Sequence, residues 1–167
     1  MDLLEGIYSR RSIRRYTGQA VDREQLIEII KAGTWAPSGL NNQPWRFVLI
    51  REESTRSTLA ELTKYGQIIR MAPACIGVFL DKRDMYHEIK DYQAVGACLQ
   101  NMLLAAHALG LGAVWLGEIM KHGDRIRELL GLPQELEFMA VIAVGHPQSR
   151  NQVSSRKGLP ELFLKEY

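Results

Sequence analysis

The chain has 167 residues, enough for one domain with its own core. Hydrophobic residues make up 46% and charged residues 24%, the balance of a soluble globular protein, and Lys plus Arg exceed Asp plus Glu by only 21 to 19. That excess excludes general nucleic-acid binding as a leading reading, so any basic function has to be local.

Asp2 can cap a short first helix, "LLEGIYSR", with Leu3, Leu4 and Ile7 on one face. The same acidic start is unlike the basic head of a secretory signal, so a cytoplasmic protein is expected. "SRRSIRRYTG" follows, with Arg10, Arg11, Arg14 and Arg15 in six positions. "VDREQLIEIIKAGTWAP" reads as a second helix: Asp22 and Gln25 have capping-box spacing, and Leu26, Ile29 and Ile30 form its apolar stripe. "WRFVLIR" is a strand, and "STRSTLAELTKYG" an amphipathic helix ending near Gly66. "ACIGVFL" is a continuous apolar strand of a sheet covered on both faces.

From Tyr92 to Gly117 there is no Asp, Glu, Lys or Arg. Gln93, Gln100, Asn101 and His107 interrupt this stretch, and Gly110 and Gly112 break it, so a buried helix followed by the strand "GAVWLG" is expected rather than a membrane span. "GDRIRELLGLP" is a helix capped by Asp124, and "LEFMAVIAVG", residues 136–145, a buried strand. After Gly145 periodicity fails. The expected organisation is one domain over 1–145 and an arm over 146–167 that packs on another surface.

Four stretches could carry chemistry. In an extended chain, Arg10, Ser12 and Arg14 point one way and Arg11, Ile13 and Arg15 the other. Two guanidinium groups flanking a hydroxyl suit a phosphate; the alternative is a solvated basic turn. "APSGLNNQPWRF" stacks Pro37, Ser38 and Gly39 before three amides, Asn41, Asn42 and Gln43, which suit the edge of a heterocycle. "WLGE" ends a strand on Gly117, where backbone N–H groups can approach a ligand. "SSRKG" adds Arg156 and Lys157. There is no dinucleotide fingerprint, P-loop or nucleophile elbow, and the four histidines show no metal-ligand spacing. Cys75 and Cys98, the only cysteines, sit in apolar flanks and read as buried free thiols. Any enzyme built from these parts takes its reactivity from a cofactor.

Taken together, "RRSIRRYTGQAVDREQLIEIIKAGTWAPSGLNNQPWRFVLI" (10–50) and "AVGACLQNMLLAAHALGLGAVWLG" resemble the FMN-dependent nitroreductase family. The resemblance implies an α+β fold: a three-layer α/β/α sandwich around a mixed, mostly antiparallel sheet, with the long central helix at a homodimer interface. It implies FMN, with NADH or NADPH as reductant. Arg10, Arg11, Ser12 and Arg14 would hold the phosphate, joined by Arg156 and Lys157. Pro37, Ser38, Gly39 and Asn41 would reach the flavin of the opposite subunit. Leu116 and Gly117 would lie near its reactive nitrogen, and Arg14 is the candidate for stabilising the reduced flavin. The implied activity is a two-step electron shuttle to a nitroaromatic, quinone or similar small acceptor, with no metal, nucleic acid or membrane. Reductive dehalogenation, flavin fragmentation and non-catalytic FMN binding or redox sensing are the alternatives. Only ten residues lie between Leu80 and Asp91, where longer members carry a helical excursion, so an open site is expected. Tyr65, Gln67 and Arg70 are further polar candidates beside the flavin.

Overall fold

The computed structural model describes residues 2–167. Helix α1 (Leu3–Ser9) is followed by the arginine segment, α2 (Arg23–Thr34), a short 3-10 turn at Gly39–Asn41 and β1 (Trp45–Ile50). Then come α3 (Glu53–Ala60), α4 (Gly66–Met71), β2 (Ala74–Asp81), α5 (Glu88–Ala108), β3 (Gly112–Leu116), α6 (Gly123–Leu129), β4 (Leu136–Gly145) and one turn of α7 (Leu159–Leu162). The helix expected to end near Gly66 stops at Ala60 as α3, and a further helix, α4, starts at Gly66, packed so tightly on Ala60 that a Cβ there would lie 2.2 Å from its carbonyl oxygen. Helix α6 begins at Gly123, so Asp124 stands inside its first turn instead of capping it.

The four strands lie in the order β1-β2-β4-β3, and all three pairings are antiparallel. The described parallel pairing is an isolated bridge between Ser12 and Ala113. β2 and β4 occupy the middle and are buried along their whole length except Glu137, which explains their unbroken apolar sequences. Helices cover both faces. On one, Leu26 and Ile29 of α2 and Val95, Leu99 and Met102 of α5 pack against Ile76, Val78, Ala140 and Ile142. On the other, Leu59, Ile69 and Ile126 pack with Phe79, Phe138 and Val141. This is the three-layer α+β arrangement. α2 and α5 approach closely because Gly33 lacks a side chain; a Cβ would fall 2.7 Å from Met102.

The apolar circumference of α5 exceeds what its own chain covers. Val95, Leu99 and Met102 face the sheet, whereas Ala97, Leu104 and Ala108 remain half-buried or exposed. With Leu3, Ala32 and Trp35, Leu104 and Ala108 line an apolar cleft of about 460 Å³. Leu3, Leu4 and Ile7 do share a face, but nothing among the described residues covers it: Leu3 is 70% exposed and Trp35 80%. The arm begins anchored. Pro147 bridges Tyr16, Gln148 N–H donates to the Arg15 carbonyl at 3.1 Å, and Arg150 donates to the carbonyls of Gly110 (2.7 Å) and Leu111 (3.2 Å). Beyond it, Val153, Leu159, Leu162, Phe163 and Leu164 are exposed.

Candidate functional site

The arginine segment is held by backbone on one side and by buried side chains on the other. Ile13 N–H donates to the Ala113 carbonyl at 3.0 Å. Ile13 and Tyr16 are buried, and the Tyr16 hydroxyl donates to the carbonyls of Ile13 (2.8 Å) and Ala143 (3.0 Å). That anchoring turns the remaining side chains outward. Arg10, Arg11, Ser12 and Arg14 line a cleft of about 280 Å³, closed by Gln152, Val153, Ser154 and Arg156 of the arm. Arg11 therefore stands with Arg10, contrary to the alternating-face expectation. The segment is not a regular strand, and Arg11 Nη1 folds back to donate to the carbonyls of Tyr8 (2.7 Å) and Arg10 (2.9 Å). Arg15 and Lys157 do not line the cleft.

No carboxylate lines this cleft among the described residues. Arg10 Nε and Nη1 and Arg11 Nε are buried there without a hydrogen-bond partner among the described residues. Burial, followed by the neighbouring charges of Arg11 and Arg156, pushes the Arg10 guanidinium below its ordinary value. Clustered cations with unfilled donors and no counter-charge form a receptor for an anion.

Arg14 also lines a second cleft of about 300 Å³, with Tyr65, Val114, Trp115, Leu116 and Gly117. The structure thus brings Leu116 and Gly117 next to the arginines, because Ser12 pairs with the strand that ends on Leu116. Of the three polar candidates near α4, Tyr65 lines this cleft; Gln67 and Arg70 do not. Glu118 is tied up. Lys121 and the Thr63 hydroxyl, which donates at 2.6 Å, hold its carboxyl down at about 2.

Pro37, Ser38 and Gly39 line a third cleft of about 290 Å³ with Tyr86, Lys90, Gln93, Ala94 and Ala97. It shares no lining residue with the other two. The loop beside it is unusual: Leu40, Asn41 and Gln43 all have positive φ, at 53°, 55° and 48°. The Ser38 hydroxyl accepts from Gln43 N–H at 3.1 Å, and Gln43 Nε2 donates to the Asn41 carbonyl at 3.2 Å. The three amides therefore divide. Asn41 is exposed, Gln43 braces the loop, and Asn42 turns inward to Asp91.

Sequence reasoning missed Gln152, Val153 and Ser154, which carry no signal of their own. It also missed Tyr86, Lys90 and Asp91. The last had a signal: it is the charge that immediately precedes the long uncharged stretch from Tyr92 to Gly117.

Other reactive side chains are occupied. His107 Nε2 lies 2.9 Å from Ser9 Oγ, the spacing of a nucleophile and its base. But Arg150 Nη1 lies 3.2 Å from Nδ1, and arginine only donates, so Nδ1 accepts and Nε2 carries the hydrogen. In that tautomer His107 donates to Ser9 and cannot deprotonate it. Burial pushes both cysteine thiols up to about 12. Among the described residues no three His, Cys, Asp or Glu side chains gather where they could hold a metal ion, and no helix is long and apolar enough to cross a membrane.

A sequence profile of the nitroreductase family matches residues 7–69 and 60–146. A candidate NADH dehydrogenase/NAD(P)H nitroreductase of Archaeoglobus fulgidus is 38% identical over 151 residues, spanning 88% of this chain and 86% of that one. The crystal structure of a candidate nitroreductase from Desulfovibrio desulfuricans, in complex with FMN, superposes with a TM-score of 0.95 at 53% identity, over 100% of this chain and 98% of that one. The NADPH:FMN oxidoreductase of Vibrio harveyi, complexed with NAD+, superposes with a TM-score of 0.89 at 26% identity, over 98% of this chain and 75% of that one.

Proposed function

The chain belongs to the nitroreductase family of oxidoreductases, and from that membership we propose that it is an FMN-dependent NAD(P)H oxidoreductase acting as a cytoplasmic homodimer. One observation carries the cofactor: a cleft lined by four arginines and two serines, with buried guanidinium nitrogens left without partners and no carboxylate facing them among the described residues. A phosphate dianion supplies the missing acceptors and the missing charge, and the donor set fits it. Arg10, Arg11, Ser12 and Arg156 would hold the phosphate. Lys157, outside that cleft, stays a looser candidate.

When bound, FMN supplies hydride transfer from a reduced nicotinamide and electron delivery to a nitroaromatic, quinone or similar acceptor. The protein's share is orientation and charge. Arg14 lines both clefts, so its cation can balance negative charge at the ring end as well as at the phosphate. Leu116 and Gly117 form the backbone wall beside it. Pro37, Ser38, Gly39 and Asn41 stand apart from both clefts, which supports their delivery to the site of a second copy. The exposed Leu3 and Trp35, the bare flank of α5 and the apolar arm support the same dimer. Two unpaired buried thiols suit a reducing compartment.

The test is direct. The purified protein should be yellow, and flavin released by heating should chromatograph as FMN. NADH or NADPH should then be oxidised in the presence of menadione. FAD as the sole flavin overturns the phosphate assignment. FMN binding without turnover leaves a flavin-binding protein and removes the enzyme.

A further inference from the structure

Asp91 is the fourth residue of α5 and has no exposed surface. No cation pairs with it among the described ion pairs. Instead, its Oδ1 accepts from Asn42 Nδ2 at 2.6 Å, and its Oδ2 accepts from the backbone N–H groups of Tyr86 (3.0 Å) and His87 (2.9 Å). Asn42 Nδ2 donates again to the Asp84 carbonyl at 2.9 Å. Burial opposes the carboxylate's charge, but the hydrogen bonds from His87, Asn42 and Tyr86 outweigh it and keep the carboxyl below its ordinary value. One anion thus joins the head of α5, the 84–87 turn and the loop after α2.

That loop needs an external hold. Three of its four residues from Leu40 to Gln43 are non-glycine residues in the left-handed region. Each such residue costs of order 1 kcal/mol and persists only where its surroundings over-determine it. Core packing does not supply the constraint, because Leu40, Asn41 and Gln43 are exposed. Asn42 is the residue that reaches inward. The same carboxylate fixes Tyr86, whose hydroxyl lies where a Cβ on Gly39 would stand, 1.8 Å away.

We propose that Asp91 is a positioning residue of the flavin site: through Asn42 it holds the 38–43 loop in its left-handed path, and through the Tyr86 backbone it seats that ring on Gly39. Gly39 and Asn41 are thereby preset for the cofactor and do not have to be ordered by it. The proposal rests on the reading that this loop touches the flavin. It differs from simple capping of α5, because Asn42→Ala cuts the link to the loop and leaves the Tyr86 and His87 hydrogen bonds in place.

The experiment measures Kd for FMN and for riboflavin by flavin fluorescence on deflavinated full-length protein, with the melting temperature alongside. Asn42→Ala and Asp91→Asn are compared with Arg10→Ala and Leu59→Ala. Asn42→Ala should weaken FMN and riboflavin by the same factor, about tenfold, as expected for a lost bond to a charged group. Asp91→Asn should do at least as much; if it fails to fold, Asn42→Ala decides. Arg10→Ala should weaken FMN and spare riboflavin. Leu59→Ala, in the core on the opposite side of the sheet, should lower the melting temperature and spare both ligands. Folded Asn42→Ala with both constants unchanged, alongside the expected Arg10→Ala result, overturns the role of Asp91 and leaves the cofactor reading standing. An equal loss in Leu59→Ala makes the effect general destabilisation and also overturns it. Wild-type protein that binds no flavin removes the cofactor reading and this proposal together.

Discussion

Arg10→Ala should act in opposite directions on binding and on stability. In the flavin-free protein Arg10 is half-buried, with Nε and Nη1 unpartnered among the described residues and Arg11 and Arg156 close by. Removing it deletes an unsatisfied cation from among like charges. An unsatisfied buried polar group costs about 1–3 kcal/mol, and a half-buried one sits at the low end. The deflavinated variant should therefore match the wild type or gain up to about 1 kcal/mol, roughly 2–4 °C in a chain of this size. With FMN bound the sign reverses. The lost charge-assisted hydrogen bonds should weaken binding by about 1.5–3 kcal/mol, roughly ten- to 150-fold. The assay is titration of deflavinated protein with FMN, together with melting curves with and without the cofactor. Arg15→Ala is the control: Arg15 is exposed and off the cleft, so its loss should stay within about 0.5 kcal/mol. Equal losses from the two variants, or a flavin-free Arg10→Ala protein destabilised by more than about 1 kcal/mol, would refute the reasoning.

Phe79 is fully buried and meets Phe138 edge-on at 5.4 Å, so Phe79→Ala should cost about 3–5 kcal/mol in urea unfolding; a loss below 1 kcal/mol contradicts the packing described. Burial and the Arg150 charge lower the pKa of His107 in the folded state. The unfolded chain therefore takes up the proton first, and the stability this neutral ring provides is present above the ordinary value of 6.5 and is lost as pH falls through the folded value. The urea midpoint of the wild type should drop more than that of His107→Gln between pH 7.5 and 5.5, and parallel curves would dispose of the assignment. Chains carrying Arg10→Ala and Asn41→Ala, assayed at FMN concentrations that load only the wild type, should each be inactive as homodimers. Their heterodimer should recover up to about half the activity, because two-fold symmetry puts both lesions in one site; a folded heterodimer without activity contradicts the shared site.

The central sheet was legible because its inner strands are buried on both faces. Residues 136–145 form β4 with the bounds their apolar run implies. Helix α5 was legible in its uncharged body but begins at Glu88, since acidic residues belong in a first turn and gave no apolar signal. The break between α3 and α4 was hidden, because Gly66 is required by contact with the Ala60 carbonyl and not by local propensity. In the candidate site, the arginines announced themselves by density. Arg11's side did not, because the segment is held by Ile13, Tyr16 and Ala113 rather than by strand geometry. Asn42 looked like its neighbours. What separates it from Asn41 is a partner 49 positions away, which spacing within the loop cannot reveal.

The arginine cleft is made from residues 10–14 and 152–156, the two ends of a long excursion of chain. Its N-terminal half is itself pinned by partners near Ala113 and Pro147. Contacts of such sequence separation close late, after the intervening sheet has formed. During synthesis, an emerging chain displays its arginines long before Arg156 exists to complete the ring. A polypeptide not yet extended through Arg156 thus lacks the finished anion receptor, however early its own arginines emerge. The order of residues along the chain sets a clock on when the protein can first become functional.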